Sequence, residues 1–187
     1  MSKISSLLNN YSQYIAVPWR RDAAPAQRVV FCVYNEIDER ALRVQMDEFE
    51  IATEKAGHEW VQFDLTDTFA VWLTSLKYAV SYYKQPEKLE DVFPEYLKWL
   101  NNRFKAFAED NNISHDHVVA LSGVGSLYGF LKTREVVTTF ASVVPGKLLV
   151  FFPGSFENNN YRLLDSHDGW NYLAVPITSS TSSRERG

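Results

Sequence analysis

The chain carries a single cysteine, Cys32, among 187 residues. One cysteine excludes an internal disulfide and a multi-cysteine metal site. Its place in the apolar run "RVVFCVY" points instead to a small buried hydrophobe. Long apolar runs are missing too: nothing reaches the roughly 18 residues that a membrane-spanning helix needs. The opening "MSKISSLLNNYSQYIAVPWRR" lacks the apolar core and small-residue cleavage site of a signal peptide, so a soluble, cytoplasmic protein is expected. Basic charge is not in excess, with 19 Lys and Arg against 23 Asp and Glu and a formal net charge of -4. That balance gives no electrostatic reason to grip a phosphate backbone, and no sequence-specific nucleic-acid binding is expected. Glycine is scarce where it would matter most. A P-loop after the first strand would read G-x-x-x-x-G-K-[ST], so that backbone amides and a lysine cradle phosphates. The chain reads "VYNEIDERAL" there, with acids in place of the glycines and the lysine.

What is present is a periodic and aromatic-rich chain, long enough for one full core but hardly for two. Leu7, Leu8, Tyr11 and Ile15 recur at helical spacing, which predicts an amphipathic helix over about 5–17, stopped by Pro18. "RVVFCVY" then reads as a strand buried on both faces of a parallel sheet. Leu42, Met46, Phe49 and Ala56 mark a helix that Gly57 can end in a left-handed conformation. "HEWVQFDL" reads as a second strand. Phe69 to Val80 and Phe93 to Phe107 read as two further helices, "HVVAL" as a third strand, Thr133 to Val143 as a helix and "KLLVFF" as a fourth strand. "YRLL" and "WNYLAVPI" are expected to pair across the Asp-Gly turn as a closing hairpin. The alternation predicts an α/β fold: a three-layer sandwich with a mostly parallel central sheet of about five strands, resembling a nucleotide-binding fold without its P-loop. One domain over 1–178 is expected, followed by a polar, low-complexity tail over 179–187 that reads as disordered.

Candidates for chemistry are few. Gly123, Gly125 and Gly129 in "SGVGSLYGF" miss G-x-G-x-x-G spacing by one residue and read as a tight strand-to-helix turn. His115, Asp116 and His117 could face one cation, but no third ligand is evident, and a solvated loop is the better reading. Asp64 ends its strand and reads as a cap for the next helix. Near the end of the chain, Asn160, Arg162, Asp165, Asp168 and Asn171 gather polar groups around the turn. No nucleophile sits with a matching base, so bracing of the turn, anchored by Trp170, is preferred to catalysis. No metal and no cofactor is expected.

Several blocks carry a resemblance. "LLVFFPGSFENNNYRLLDSHDGWNYLAVPI", with "YIAVPWRR", "RVVFCVYNEIDERALR" and "VVALSGVGSLYGF", resembles the BrxB family of BREX bacteriophage-exclusion systems over nearly the whole chain. The resemblance implies a setting that contains a DNA methyltransferase, a large ATPase, an alkaline-phosphatase-like protein called PglZ and small accessory subunits. It names no catalytic residue. The function expected is a non-enzymatic adaptor that holds larger subunits together, with PglZ as the first partner and the ATPase as the second. The alternative is a small nucleotide- or metal-dependent enzyme, with its site at the Gly123–Gly129 turn or the Asp165–Gly169 hairpin. For the adaptor, Leu7, Leu8, Tyr11, Tyr14 and Ile15 are the expected docking stripe, laid into a partner's groove. The competing reading packs that stripe on the domain's own sheet.

Overall fold

The computed structural model describes residues 1–164, 166 and 169–180. Among these residues no helix is long and apolar enough to cross a membrane. The elements in chain order are α1 (Lys3–Ile15), β1 (Val29–Tyr34), α2 (Glu39–Val44), α3 (Met46–Lys55), β2 (Glu59–Asp64), α4 (Thr68–Ser75), α5 (Ala79–Lys84), α6 (Phe93–Asp110), β3 (His117–Ser122), α7 (Thr133–Val143), β4 (Lys147–Glu157), β5 (Asn160–Leu163) and β6 (Val175–Ile177). The sheet runs β2-β3-β4-β1-β6, with every neighbouring pair parallel. β5 joins β4 antiparallel at one end.

All six residues of β1 and of β3 are buried, which is why "VVFCVY" and the "VVAL" centre of β3 read as unbroken apolar runs. Alternate side chains go to opposite faces. Phe31, Val119, Val150 and Phe152 meet α4, α6 and α7 through Trp72, Tyr96, Phe104 and Phe140. Cys32, Ala120, Leu149 and Phe151 meet α1, α2 and α3 through Leu7, Tyr11, Leu42 and Phe49. These helices on the two faces make the three layers of the sandwich.

The helix expected over Phe69 to Val80 is two pieces. Thr74 Oγ1 bonds the Ala70 carbonyl and Ser75 Oγ bonds the Trp72 carbonyl at 2.5 Å, and Leu76 then leaves helical geometry with ψ at 138°. Hydroxyls that bond the preceding turn compete with helix continuation. The helix marked by Leu42 to Ala56 also divides, at Gln45, and ends as expected at Gly57 with φ +86°.

The closing hairpin is drawn differently from the expectation. The first three residues of "YRLL" pair with the end of β4, and "WNYLAVPI" meets them only at the Tyr161–Trp170 bridge. Asn158 and Asn159, at φ +50° and +62°, form the turn between β4 and β5. Two consecutive positive φ values suit a tight hairpin, and Asn adopts them at little cost. Of the last segment, Trp170 alone bridges to Tyr161, while Val175–Ile177 crosses to β1 and adds a parallel edge strand.

The docking stripe also needs correction. Leu7, Tyr11 and Ile15 are buried against the sheet and α3, and Leu8 and Tyr14 pack on the same cluster. Tyr11 bonds Thr53 Oγ1 through its hydroxyl at 2.6 Å, deep in the core. The helix is a layer of the sandwich, because five apolar residues on one face gain more by closing the domain's own core than by waiting for a partner.

Candidate functional site

Ligands in open α/β sheets bind outside the carboxyl ends of the strands. In this chain that position holds a cleft of about 250 Å³, lined by Tyr34, Glu39, Arg43, Gln62, Ser122 and Gly123 among others. β1 delivers Tyr34, the first turn of α2 delivers Glu39, and Arg43 follows one helical turn later. Glu39 and Arg43 make an (i, i+4) ion pair at 2.7 Å, the favourable order along a helix. Arg43 Nη2 donates to Thr66 Oγ1 at 2.9 Å, and its Nη1 lies 3.7 Å from Asp64 Oδ2. Asp64 Oδ1 accepts from the Thr66 amide at 2.9 Å and from its hydroxyl at 2.6 Å. Asp64 therefore braces its own loop, where the sequence suggested a cap for the next helix; α4 has no side-chain cap.

Tyr34 completes the network by donating its hydroxyl to Glu39. Burial, with Glu39 adding to it, pushes the phenol far above its ordinary range. It holds its proton at neutral pH and works as a fixed donor. Arg43 lies between two carboxylates, so its charge is matched twice and little is left for an incoming phosphate. Ser122 accepts from Gln62 Nε2 at 3.0 Å, and Ser126 donates to the carbonyls of Leu65 and Gly123. Neither serine has a basic partner in these contacts.

Gly123 shows why the strand-to-helix turn is built as it is. Its φ is +71°, and an added Cβ would lie 2.5 Å from Thr66 Oγ1 and 2.6 Å from Asp64 Oδ1. Gly123→Ala is expected to cost about 1–3 kcal/mol through left-handed strain and the displaced Thr66 loop, measured by urea unfolding. An unchanged midpoint would show that the loop gives way freely.

The other sequence-derived candidates are placed as follows. His117 is buried; its Nδ1 accepts from the Ser114 amide at 3.0 Å, which leaves Nε2 to donate to Glu59 at 3.1 Å. His115 bonds the Pro145 carbonyl and Asp116 pairs with Arg21, so each member of the trio has its own partner and they do not converge. No group of three or more His, Cys, Asp or Glu that could hold a metal ion occurs among the described residues. Asn160 and Arg162 sit on β5, opposite Glu157 and Ser155, with Gly169 packed against both. Asn171 is exposed. Asp165 and Asp168 lie outside the described residues. Trp170 packs edge-on against Phe31 and Phe152. Tyr34, Glu39, Arg43 and Thr66 were not singled out in the sequence; the Glu39–Arg43 spacing is the one signal that could have found them.

A second, larger groove of about 1060 Å³ lies at the amino end of β4. Lys147 forms its base, 9% exposed, donating to Tyr14 Oη at 2.9 Å with its Nζ 5.1 Å from the rings of both Tyr14 and Trp19. Burial pulls the Lys147 ammonium down from 10.5 to about 8. Below pH 8 both folded and unfolded chains carry the proton, and the folded one bears the full cost of the buried charge. Between about 8 and 10.5 the folded chain releases a proton that the unfolded chain keeps, so folding stability rises with pH from this group. Lys147→Met removes that dependence: its stability advantage over the parent is expected to be largest below pH 8 and to shrink towards pH 10.5. Urea melts of both proteins across this range measure it, and a constant difference would contradict it.

A family model described as "BREX protein BrxB" matches residues 71–177, more than half of the chain. No curated protein and no solved structure matches. The matched span runs from within α4 to the end of β6, and so takes in the Gly123 turn, Lys147 and the β4–β5 hairpin.

Proposed function

Since the chain belongs to the BrxB family, and is therefore a component of BREX phage defence, we propose that it acts there as a non-enzymatic adaptor that docks on a larger subunit through the α4–α5 segment. The observation that carries this reading is apolar and aromatic surface concentrated on one short stretch. Tyr78, Val80 and Tyr83 are 63%, 64% and 58% exposed, and Val71 on α4 is exposed as well. Val80 and Tyr83, three residues apart on α5, share a face. Tyrosine is the residue type that supplies large contact area and a polar tip to interface centres. All four lie within the span that the family model matches. The cleft at the strand ends supports the same reading, since its Glu39 and Arg43 are engaged by each other and by Tyr34 and Asp64 rather than held free for a substrate.

The alkaline-phosphatase-like PglZ protein is the first partner to test and the large ATPase the second. Tagged chain is purified from cells that carry the complete gene cluster, alongside Tyr78→Asp/Tyr83→Asp. The parent is expected to bring down one of these subunits, and the double variant to lose it by about tenfold or more while its thermal melt is unchanged. Retention of the partner by the double variant would move the docking surface elsewhere. A parent that brings down no subunit would defeat the adaptor reading itself.

A further inference from the structure

A buried cation is stable when an anion or several acceptors surround it. Lys147 has neither among the described residues. Its ammonium offers three donors, and the one bond formed goes to the neutral hydroxyl of Tyr14. Among the described residues the groove above it is lined by no Asp or Glu. Its one other charged lining residue, Arg20, is engaged by Asp22 through bonds of 3.1 and 2.9 Å. In a chain of net charge -4 this is a local positive site with no counter-charge among the described residues. His58, stacked on Trp19 at 3.7 Å, does not supply it. Burial lowers the His58 imidazole, with Asp116 opposing the drop and Lys147 adding to it, so a second positive charge at this place is disfavoured.

The walls say what kind of anion fits. Val17 and Leu173 line the groove and stand largely in solvent, at 63% and 75% exposed. Val175 and Pro176 form the wall beside Leu173, and Gln13 and Gln27 bring side-chain amides to the same space. A buried cation at the base with apolar side chains at the mouth suits an anion attached to an apolar body; an inorganic anion would leave the mouth wet and unfilled. We infer that this groove is a binding site for a small organic acid, with its carboxylate on the Lys147 ammonium and its apolar part against Trp19, Leu173 and Val175. Charge-assisted bonds from the carboxylate replace water lost by Lys147 on folding and can engage its remaining donors. The inference is independent of the adaptor reading, since the groove and the α4–α5 segment share no residue.

The test is a titration of the full chain with benzoate and, separately, with inorganic phosphate, followed in 15N–1H spectra. Benzoate is expected to shift the Trp19 indole and the Gln13 and Gln27 amides saturably, and phosphate to leave them in place. Lys147→Met should weaken benzoate by about tenfold or more, with the rest of the spectrum superposing on the parent. Leu173→Glu, on an exposed rim position, sets a like charge at the mouth and should weaken it independently of any effect on folding. The inference is overturned if benzoate shifts none of these signals, if phosphate binds as well as benzoate, or if both variants bind as the parent does.

Discussion

Phe140→Ala is expected to lower the stability of the domain by about 3–5 kcal/mol. Phe140 is fully buried on α7 and lies flat on Phe104 of α6, with centroids 3.7 Å apart and planes 3° from parallel. It also meets the edge of Phe63 at 5.8 Å, so one ring ties two helices to β2. Removing it leaves a void that Phe104 and Phe63 cannot both collapse into, because each is held by Phe107 and by the sheet beneath. At this chain length each kcal/mol corresponds to roughly 2–4 °C, so the melting temperature should fall by about 6–20 °C. A fall of less than about 3 °C would mean that α6 and α7 repack without the ring.

The second large effect concerns α1. Tyr11→Asp is expected to leave the isolated domain unfolded or barely folded at 25 °C. The residue is 1% exposed, its ring lies 5.4 Å from that of Phe49, and its hydroxyl is bonded to Thr53, which in turn bonds the Phe49 carbonyl. A carboxylate in that position is buried without a counter-charge, which costs several kcal/mol beyond the lost packing and is enough to exhaust a domain of ordinary stability. Asn9→Asp, on the exposed face of the same helix, should change stability by no more than about 0.5 kcal/mol. Circular dichroism melts of the two variants make the comparison. A native melt for Tyr11→Asp would return α1 to the status of a detachable docking arm, the role its apolar stripe suggested when read by itself.

The α1 case shows where sequence patterning stops. Leu7, Leu8, Tyr11 and Ile15 determine that a helix forms and which face of it is apolar, because that depends on spacing along one chain. What covers the face is a question of where distant segments lie, and only the assembled sheet with α3 beside it answers that. The same limit holds at the chain's end. "YRL" and the "VPI" end of "WNYLAVPI" are strands as read, yet strand pairing is a long-range choice that local composition does not encode: β4 took the first and β1 the second, with one bridge, Tyr161–Trp170, left between the two segments.

The sequence by itself determined the α/β class, because buried parallel strands must be apolar on both faces and their covering helices on one, and β1, β3, α6 and α7 carry those periods cleanly. It also determined that no phosphate loop follows β1, since that loop needs particular residue types in a row. The tertiary structure alone decided what the polar residues do. Glu39, Arg43, Asp64 and Thr66 are scattered over α2 and the end of β2 and become one network because α2, which follows β1, carries Arg43 to the end of β2, two intervening strands away in the sheet. Lys147 looks like an ordinary surface lysine opening a strand, and it became a buried cation only when α1 and the Trp19 loop closed over it. Burial and electrostatic partnership depend on what packs around a group in space, and no short window of sequence contains that.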